Sequence, residues 1–232
     1  MDRPANRLLA RLPDEDYERL VTHLERVPID VKQLLHHQGQ PIERIYFPNG
    51  GVISMVTVLS NGVTIEGATI GVEGLVGIPA FFADTPLSPF ESVVQVPDTD
   101  AMALDIDEFR REMVRSGALQ QGVEKYAQVL IAQMMQSNAC NAVHAIQQRC
   151  ARWLLTVRDH VGADDFELSH EFLAQMLAVQ RPTISDVAAE LRRRGLITYK
   201  HGHVHVVNRE GLEQAACECY AVMRTRFADL RR

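Results

Sequence analysis

Residues 168–197 read LSHEFLAQMLAVQRPTISDVAAELRRRGLI, and this stretch decides the fold of the C-terminal part of the chain. Ser169 stands directly before a helical run, so it is the expected N-cap, whose hydroxyl accepts a hydrogen bond from a first-turn N–H. The first helix is expected over residues 169–177, and its inward-facing positions are Leu173, Met176 and Leu177.

A second helix is expected to begin at residues 180–183, because Pro182 is tolerated in a first turn, where its missing N–H loses no bond. Its buried stripe consists of Ile184, Val187, Ala188 and Leu191. Gly195 is well placed to end it, since glycine readily adopts the left-handed conformation of a helix C-terminus. Two short helices joined by a tight turn form a helix-turn-helix motif.

A β-hairpin is predicted directly behind this motif, with strands at residues 196–199 and 204–207. In a winged helix-turn-helix, the N-terminal end of the second helix can enter the DNA major groove, where Arg181 could pair with guanine O6 and N7. Lys200 in the wing would lie against phosphate. The candidate DNA-binding residues are Gln180, Arg181, Thr183, Ser185, Arg192, Lys200 and His201.

The charge of the chain is divided unevenly along its length. The 232 residues have a net charge of −6, but residues 1–140 hold 11 basic and 19 acidic residues, whereas residues 141–232 hold 13 basic and 11 acidic ones. The acidic first part is unsuited to phosphate, and the mildly basic second part is compatible with it.

Composition excludes several classes of protein. At 46% hydrophobic and 23% charged residues the chain resembles an average globular protein of one large or two modest domains. We expect a cytoplasmic protein without membrane contact, because no apolar run reaches eighteen residues and the N-terminus lacks a signal-peptide stretch. Four cysteines without a regular framework are compatible with a reducing compartment.

Short strands are predicted from about residue 31 to residue 106. Asn61-Gly62 lies between the apolar, β-branched runs 52–59 and 63–70, which indicates a hairpin in which both turn residues have positive φ. Many short strands with regular turn signals favour a barrel or sandwich of the jelly-roll type.

The apolar periodicity becomes helical from Gly117 onward. The expected dimer interface is one face of this helix, formed by Val123, Ala127, Leu130, Met134 and Ser137. Further apolar residues at Val129, Ile131 and Met135 widen the surface, which favours a helix covered by its own domain on one side and by a partner on the other. A helix buried within one chain is the alternative. A further helix is expected over residues 143–161, with core positions Ile146, Trp153, Leu154 and Val157.

The order of β-roll, long helix and winged helix-turn-helix resembles the cyclic-AMP receptor protein and fumarate–nitrate regulator (Crp/Fnr) family of bacterial transcription regulators. The resemblance spans roughly residues 15–215 and depends on Gly39-Gln40-Pro41, on Tyr46-Phe47-Pro48-Asn49-Gly50-Gly51, on Gly71-Val72-Glu73-Gly74 and on residues 169–197. It implies an α+β fold with a β-roll sensor domain at 1–116, a dimerisation helix at 117–141 and a winged helix-turn-helix domain at 142–232. It also implies a homodimer on a near-palindromic operator, a signal read by the β-roll, and contact with RNA polymerase if the protein is an activator.

Three departures from that family limit what the resemblance carries over. Cyclic-nucleotide-binding members hold the phosphate with an Arg-Ser pair, but the matching stretch here is Pro89-Phe90-Glu91-Ser92, so we expect an effector other than cyclic AMP. No cysteine precedes Cys140, which excludes the N-terminal iron–sulfur cluster of other members. The family's Arg-Glu-x-x-x-Arg recognition pattern keeps only Arg181, with Pro182 and Asp186 in the other places, so the operator should differ.

No cofactor or metal is expected, although several residues could bind one. Cys217 and Cys219 are expected on a C-terminal helix, where a spacing of two places them about 200° apart. Cys140 and Cys150 are either redox-sensing or simply buried thiols. Alternate histidines at 201, 203 and 205 have metal-ligand spacing but also suit a polar wing, and His36 and His37 point to opposite faces of a strand. Glu73 is expected to fix its glycine turn rather than to bind a ligand.

Catalysis has no visible support, since the sequence contains no nucleophile elbow, Walker phosphate loop or metalloprotease helix, and we expect a protein that is not an enzyme. A cupin-like metalloenzyme would need at least three convergent ligands on the β-roll, yet residues 38–140 contain no histidine. The remaining alternative is a ligand-binding module whose C-terminal tail is deficient in DNA binding.

Overall fold

The computed structural model describes residues 3–96, 100–200 and 202–230. It contains two compact units, one formed by the chain up to Met55 with Thr69–Ile131, the other by Val56–Ala68 with the chain from Ala132 onward. The expected α+β class is confirmed, with an N-terminal β domain, a long helix and a C-terminal helix-turn-helix. The predicted bounds 1–116, 117–141 and 142–232 divide the chain by role and stay a prediction.

Two short helices, α1 (Arg7–Ala10) and α2 (Asp14–Val21), precede two sheets. The strands are β1 (Glu25–Pro28), β2 (Leu34–His36), β3 (Arg44–Pro48), β4 (Val52–Val58), β5 (Thr64–Ile70), β6 (Glu91–Val96) and β7 (Asp100–Asp105). One sheet has the order β1-β7-β3 and the other β2-β6-β4-β5. In β3, Ile45 and Phe47 are fully buried at alternate positions, the period expected of a strand with one face on the core.

The predicted hairpin between β4 and β5 is present, but its turn differs from the expected one. Among the described residues of this turn only Gly62 has a positive φ, of 81°. Its N–H donates to the Leu59 carbonyl at 2.8 Å, and Asn61 Oδ1 accepts from the Val63 N–H at 3.1 Å. The expectation of a positive φ at Asn61 is therefore wrong. The turn between the two strands needs a left-handed conformation only at Gly62.

Helices α3 (Ile106–Arg115) and α4 (Gly117–Val143) follow the strands. Tyr126 of α4 is fully buried against the turn formed by residues 71–74. A Cβ added to Gly74 would lie 2.2 Å from the ring of this tyrosine. Only glycine permits this approach. Glu73 Oε1 accepts a hydrogen bond from the Gly71 N–H at 2.9 Å, which confirms that Glu73 fixes the turn.

The second unit is mainly helical. Its elements after α4 are α5 (Ile146–Val161), β8 (Asp165–Glu167), α6 (His170–Met176), α7 (Arg181–Arg193), β9 (Ile197–Lys200), β10 (His203–Val206), α8 (Arg209–Ala215) and α9 (Cys219–Asp229). The predicted core positions Trp153, Leu154 and Val157 of α5 are buried, and Ile146 is half-buried. The Trp153 indole N–H donates to buried Glu66 at 2.9 Å, which satisfies its polar edge. Within the described ranges, no helix is both long and apolar enough to cross a bilayer.

Candidate nucleic-acid interface

The helix-turn-helix begins where the sequence predicts. Ser169 Oγ accepts a hydrogen bond from the Phe172 N–H at 3.1 Å, so Ser169 is the N-cap of α6. Leu173, Met176 and Leu177 are buried as expected. The turn that follows contains Ala178 with φ of 51°, a left-handed conformation that an exposed, small side chain tolerates better than a β-branched one.

The second helix, α7, packs on α6 and buries the predicted stripe of Ile184, Val187, Ala188 and Leu191. Pro182 lies in its first turn, and Gly195 follows its end with φ of 69°. Both features agree with the sequence prediction, because an N-terminal proline and a C-terminal left-handed glycine are local signals.

The polar side of α7 carries the candidate DNA-binding residues. Arg181, Ser185 and Arg192 are spaced by four and seven residues, so they lie along one side of the helix. Both arginines are exposed, and the part of the chain that the structure describes contains no ion pair for either. Arg193, in contrast, pairs with Glu190 at 2.8 Å. Gln180 is exposed before the helix, and Thr183 is half-buried in the first turn.

His170 belongs to this surface, although sequence reasoning did not single it out. Its Nδ1 lies 3.1 Å from Ser185 Oγ, and its ring packs at 4.1 Å on Tyr199, whose hydroxyl donates to the Leu168 carbonyl. Burial lowers the pKa of His170, and the charges of Arg181 and Arg192 lower it further, so the ring is neutral at neutral pH. His170 therefore holds α6, α7 and β9 together. Its spacing alone does not distinguish it from an exposed histidine.

The predicted wing hairpin is formed by β9 and β10, which pair antiparallel with His203 opposite Lys200. The structure adds a third strand, β8, which the sequence analysis missed, and the sheet order is β8-β10-β9. Lys200 is exposed at the end of β9, whereas His201 lies outside the described residues. His203 and His205 face carboxylates of β8, at 3.8 Å from Glu167 and 2.9 Å from Asp165.

Comparison with known proteins also indicates a helix-turn-helix domain in the C-terminal part of the chain. Residues 148–215 match the family model described as the Crp-like helix-turn-helix domain. The chain is 27% identical over 200 residues to the transcriptional regulator LdrP of Thermus thermophilus, across 80% of this chain and 93% of the relative. Residues 148–215 therefore form a Crp-like helix-turn-helix domain, and the chain is similar to a transcriptional regulator over most of its length.

Solved structures share the fold of this chain. A CRP-family transcriptional regulator of Thermus thermophilus, TTHB099, matches with a TM-score of 0.69 and 20% identity, over 83% of this chain and 96% of that one. FixK2 of Bradyrhizobium japonicum matches with a TM-score of 0.71 and 14% identity, over 84% and 98%. These two likenesses show the fold, whereas the matched domain model and the similarity to LdrP support a transcription regulator with a helix-turn-helix DNA-binding domain.

The structure places most of the predicted dimer residues inside the subunit. Val123, Ala127, Leu130 and Ser137 are buried in the single chain, and Met134 is half-buried. The exposed large apolar residues on α4 include Ile131 at 50% and Met135 at 65% exposure. The periodicity alone did not separate the two sides, because α4 carries apolar residues on both.

The cysteines differ from the sequence expectation in one respect. Helix α9 begins at Cys219, so Cys217 lies in the connection before it, and the expectation that both share a helix is wrong. Cys150 is fully buried in α5, and this burial raises the pKa of its thiol to about 12, which is the behaviour of an inert thiol.

Proposed function

We propose that this regulator binds double-stranded DNA as a homodimer at a near-palindromic operator, with the N-terminal end of α7 from each subunit in a major groove. The observation that supports the proposal is the division of α7 into a buried apolar stripe and a polar side with the exposed Arg181 and Arg192 and the half-buried Ser185. A helix of this kind can be anchored by one face while it presents the other to base edges.

Each candidate residue has a role that follows from its position. Arg181, in the first turn of α7, would form two hydrogen bonds with a guanine, and Gln180, Thr183 and Ser185 would contact nearby base edges. Arg192 and Lys200, exposed at the end of α7 and of β9, would contact phosphates and fix the register of the protein on DNA. His201 directly follows Lys200 in the sequence, and we propose that it contacts phosphate as well.

The dimer is proposed to form through α4. Ile131 and Met135 would contact the partner directly, and the buried residues Val123, Ala127 and Leu130 would support the contact from beneath. A two-fold axis along this helix would place two α7 helices one DNA turn apart, which is the spacing that successive major grooves require.

The β-roll is proposed to sense a signal other than cyclic AMP and to shift the population between aligned and misaligned DNA-binding heads. If the outcome is activation, RNA polymerase is the expected further partner. The protein is proposed to act in the cytoplasm and without catalysis. The alternative is a ligand-binding module with a tail that does not bind DNA.

Selection of bound DNA from a random pool by the full-length protein tests this function. We expect enrichment of one inverted repeat. On that operator, Arg181→Ala should weaken binding by about 1–3 kcal/mol and relax the base preference at one position in each half-site, because one bidentate contact is lost.

Arg226→Ala is the matched control, since Arg226 is an exposed arginine of α9 outside the proposed interface, and it should leave the selected sequence unchanged. No enrichment of any sequence would favour the module with a tail deficient in DNA binding. An Arg181→Ala effect that is equal on all sequences would show that Arg181 contacts phosphate rather than bases.

A further inference from the structure

Four potential metal ligands lie close together in the second unit, although two of them are more than seventy residues from the other two in the sequence. Cys140 lies in the last turn of α4, and His144 follows it by four residues, whereas Cys217 and Cys219 lie immediately before and at the start of α9. One ligand atom from each residue lies within 4.8 Å of the others. The three cysteines are buried, and the His144 side chain is 15% exposed.

Two of the distances within this cluster match the spacing of ligand atoms around one ion. Cys140 Sγ lies 3.5 Å from Cys217 Sγ, and Cys219 Sγ lies 3.6 Å from His144 Nδ1. Around a tetrahedral Zn²⁺, with Zn–S of about 2.3 Å and Zn–N of about 2.0 Å, neighbouring ligand atoms are separated by about 3.4–3.8 Å. The sulfur atoms are too far apart for a disulfide bond, which requires about 2.05 Å. They are also closer than ligands that must each hold a different iron of a cluster.

The surroundings of the cluster orient its ligands. His144 Nε2 lies 3.1 Å from a Glu218 carboxylate oxygen, which fixes the proton on Nε2 and leaves Nδ1 facing Cys219. A carboxylate behind a histidine is the common arrangement at metal sites, because it fixes the ring and raises its basicity. Gln136 Nε2 donates to Cys219 Sγ at 3.0 Å, as suits a sulfur that carries negative charge.

Positively charged side chains near the cluster suit thiolate ligands around a divalent cation. Three thiolates and one neutral imidazole around a divalent cation have a net charge of −1. Two arginines of α5, Arg149 and Arg152, lie within electrostatic range of the thiols. The Nε atom of each is buried without a hydrogen-bond partner among the described atoms, so a nearby negative group compensates otherwise unsatisfied positive charge.

We propose that Cys140, His144, Cys217 and Cys219 bind one tetrahedral divalent cation of the zinc type. The protein fills all four positions, so the site is structural rather than catalytic. It would join the end of α4 to the start of α9. Arg149, whose Nη2 donates to the Leu177 carbonyl at 2.8 Å, would connect the site to the end of α6 in the helix-turn-helix.

Metal titration of the full-length protein, reduced and stripped with a chelator, tests the site. We expect about one Zn²⁺ per chain, a higher thermal midpoint with Zn²⁺ than without, and with Co²⁺ the intense visible absorption of tetrahedral thiolate coordination. Cys217→Ser should abolish the cobalt absorption and the thermal shift. Cys150→Ser, which removes a buried thiol outside the cluster, should retain both.

A second variant covers the case in which Cys217→Ser does not fold. Glu218 has an exposed side chain, so Glu218→Gln should fold normally and weaken Zn²⁺ binding about tenfold, as expected for a residue that orients a ligand. The proposal is wrong if the reduced wild-type protein gives no tetrahedral cobalt spectrum. It is also wrong if a folded Cys217→Ser variant keeps that spectrum, or if the thiols bind an iron–sulfur cluster instead.

Discussion

At the scale of single residues, His36 in β2 is a buried histidine of which only one ring nitrogen has a hydrogen-bond partner among the described atoms. Its Nε2 donates to the Arg44 carbonyl at 2.8 Å, whereas Nδ1 is buried without a partner among the described atoms. A proton on Nδ1 would place a charge where nothing solvates it. Burial accordingly lowers the pKa of His36 from its usual value of 6.5.

This predicts the pH dependence of stability. As the pH falls below about 6.5, the unfolded chain takes up a proton at this histidine before the folded chain does, so the free energy of unfolding should decrease. His36→Gln should lower stability near neutral pH but flatten its decline between about pH 7.5 and pH 5.5. Thermal or urea unfolding across that range measures the effect. His170, whose pKa is also lowered, should leave a residual slope.

The exposed neighbour His37 supplies the control. His37→Gln should leave the stability near neutral pH unchanged and keep a clear decline toward low pH, because the charge of His37 is the smallest of the causes that shift the pKa of His36. A decline as steep in His36→Gln as in the wild-type protein would show that His36 does not titrate in this range.

Residues with a purely local role were predictable, and those with a tertiary role were not. The N-cap Ser169 and the terminal Gly195 were identified from sequence, because capping depends on the immediate neighbours in the chain. His36 and His170 acquire their properties from distant groups, the Arg44 carbonyl and Ser185. No spacing rule reports such contacts.

At the scale of elements, α4 and α7 differ in how far periodicity determines their roles. Helix α7 has one apolar stripe, so its buried side was predicted residue by residue. Helix α4 is apolar on more than one side, and the sequence predicted the buried side as its dimer face. In the proposed dimer, the exposed apolar residues Ile131 and Met135 are on the side of α4 that would contact the partner.

A charge on that exposed side should disrupt the dimer. Met135→Asp would place two carboxylates close to the two-fold axis, so the dimer dissociation constant should rise at least about tenfold, which corresponds to about 1.4 kcal/mol. Sedimentation velocity over a concentration series measures the change. Leu130→Asp is unsuitable for this purpose, because it would bury an unpaired charge and unfold the subunit.

Val114→Asp provides the comparison, since Val114 on α3 is 88% exposed and lies outside the proposed interface. It should leave the dimer intact. An undisturbed dimer in a folded Met135→Asp variant would mean that the subunits pair through another surface.

Connections between elements also explain why the cysteine cluster was missed. Cys140 and His144 have the i, i+4 spacing of helical metal ligands, but a pair alone is a weak signal. The remaining ligands lie more than seventy residues further along the chain, one in the connection before α9 and one at the start of that helix. Only the packing of α8 and α9 on the preceding helices brings them together.

At the scale of the whole molecule, the sequence divides into an acidic first part and a mildly basic second part. Residues 1–140 hold 19 acidic against 11 basic residues, which makes an anionic effector electrostatically unfavourable unless a cation is provided for it. In the stretch that matches the phosphate-binding pair of cyclic-nucleotide receptors, Glu91 begins β6 and Ser92 is fully buried within it.

Cyclic AMP should therefore neither bind nor alter DNA affinity. A phosphate about 4 Å from the Glu91 carboxylate would be repelled by about 4 kcal/mol at an effective dielectric constant of about 20, where an arginine would attract it by as much. Calorimetry of the full-length protein with cyclic AMP should show no saturable heat, and the affinity for the selected operator should not change. Glu91→Arg reverses the sign of this interaction, so any residual affinity should increase in that variant. Saturable micromolar binding by the wild-type protein would contradict the prediction, because a cation from elsewhere in the β-roll would then have to neutralise the phosphate.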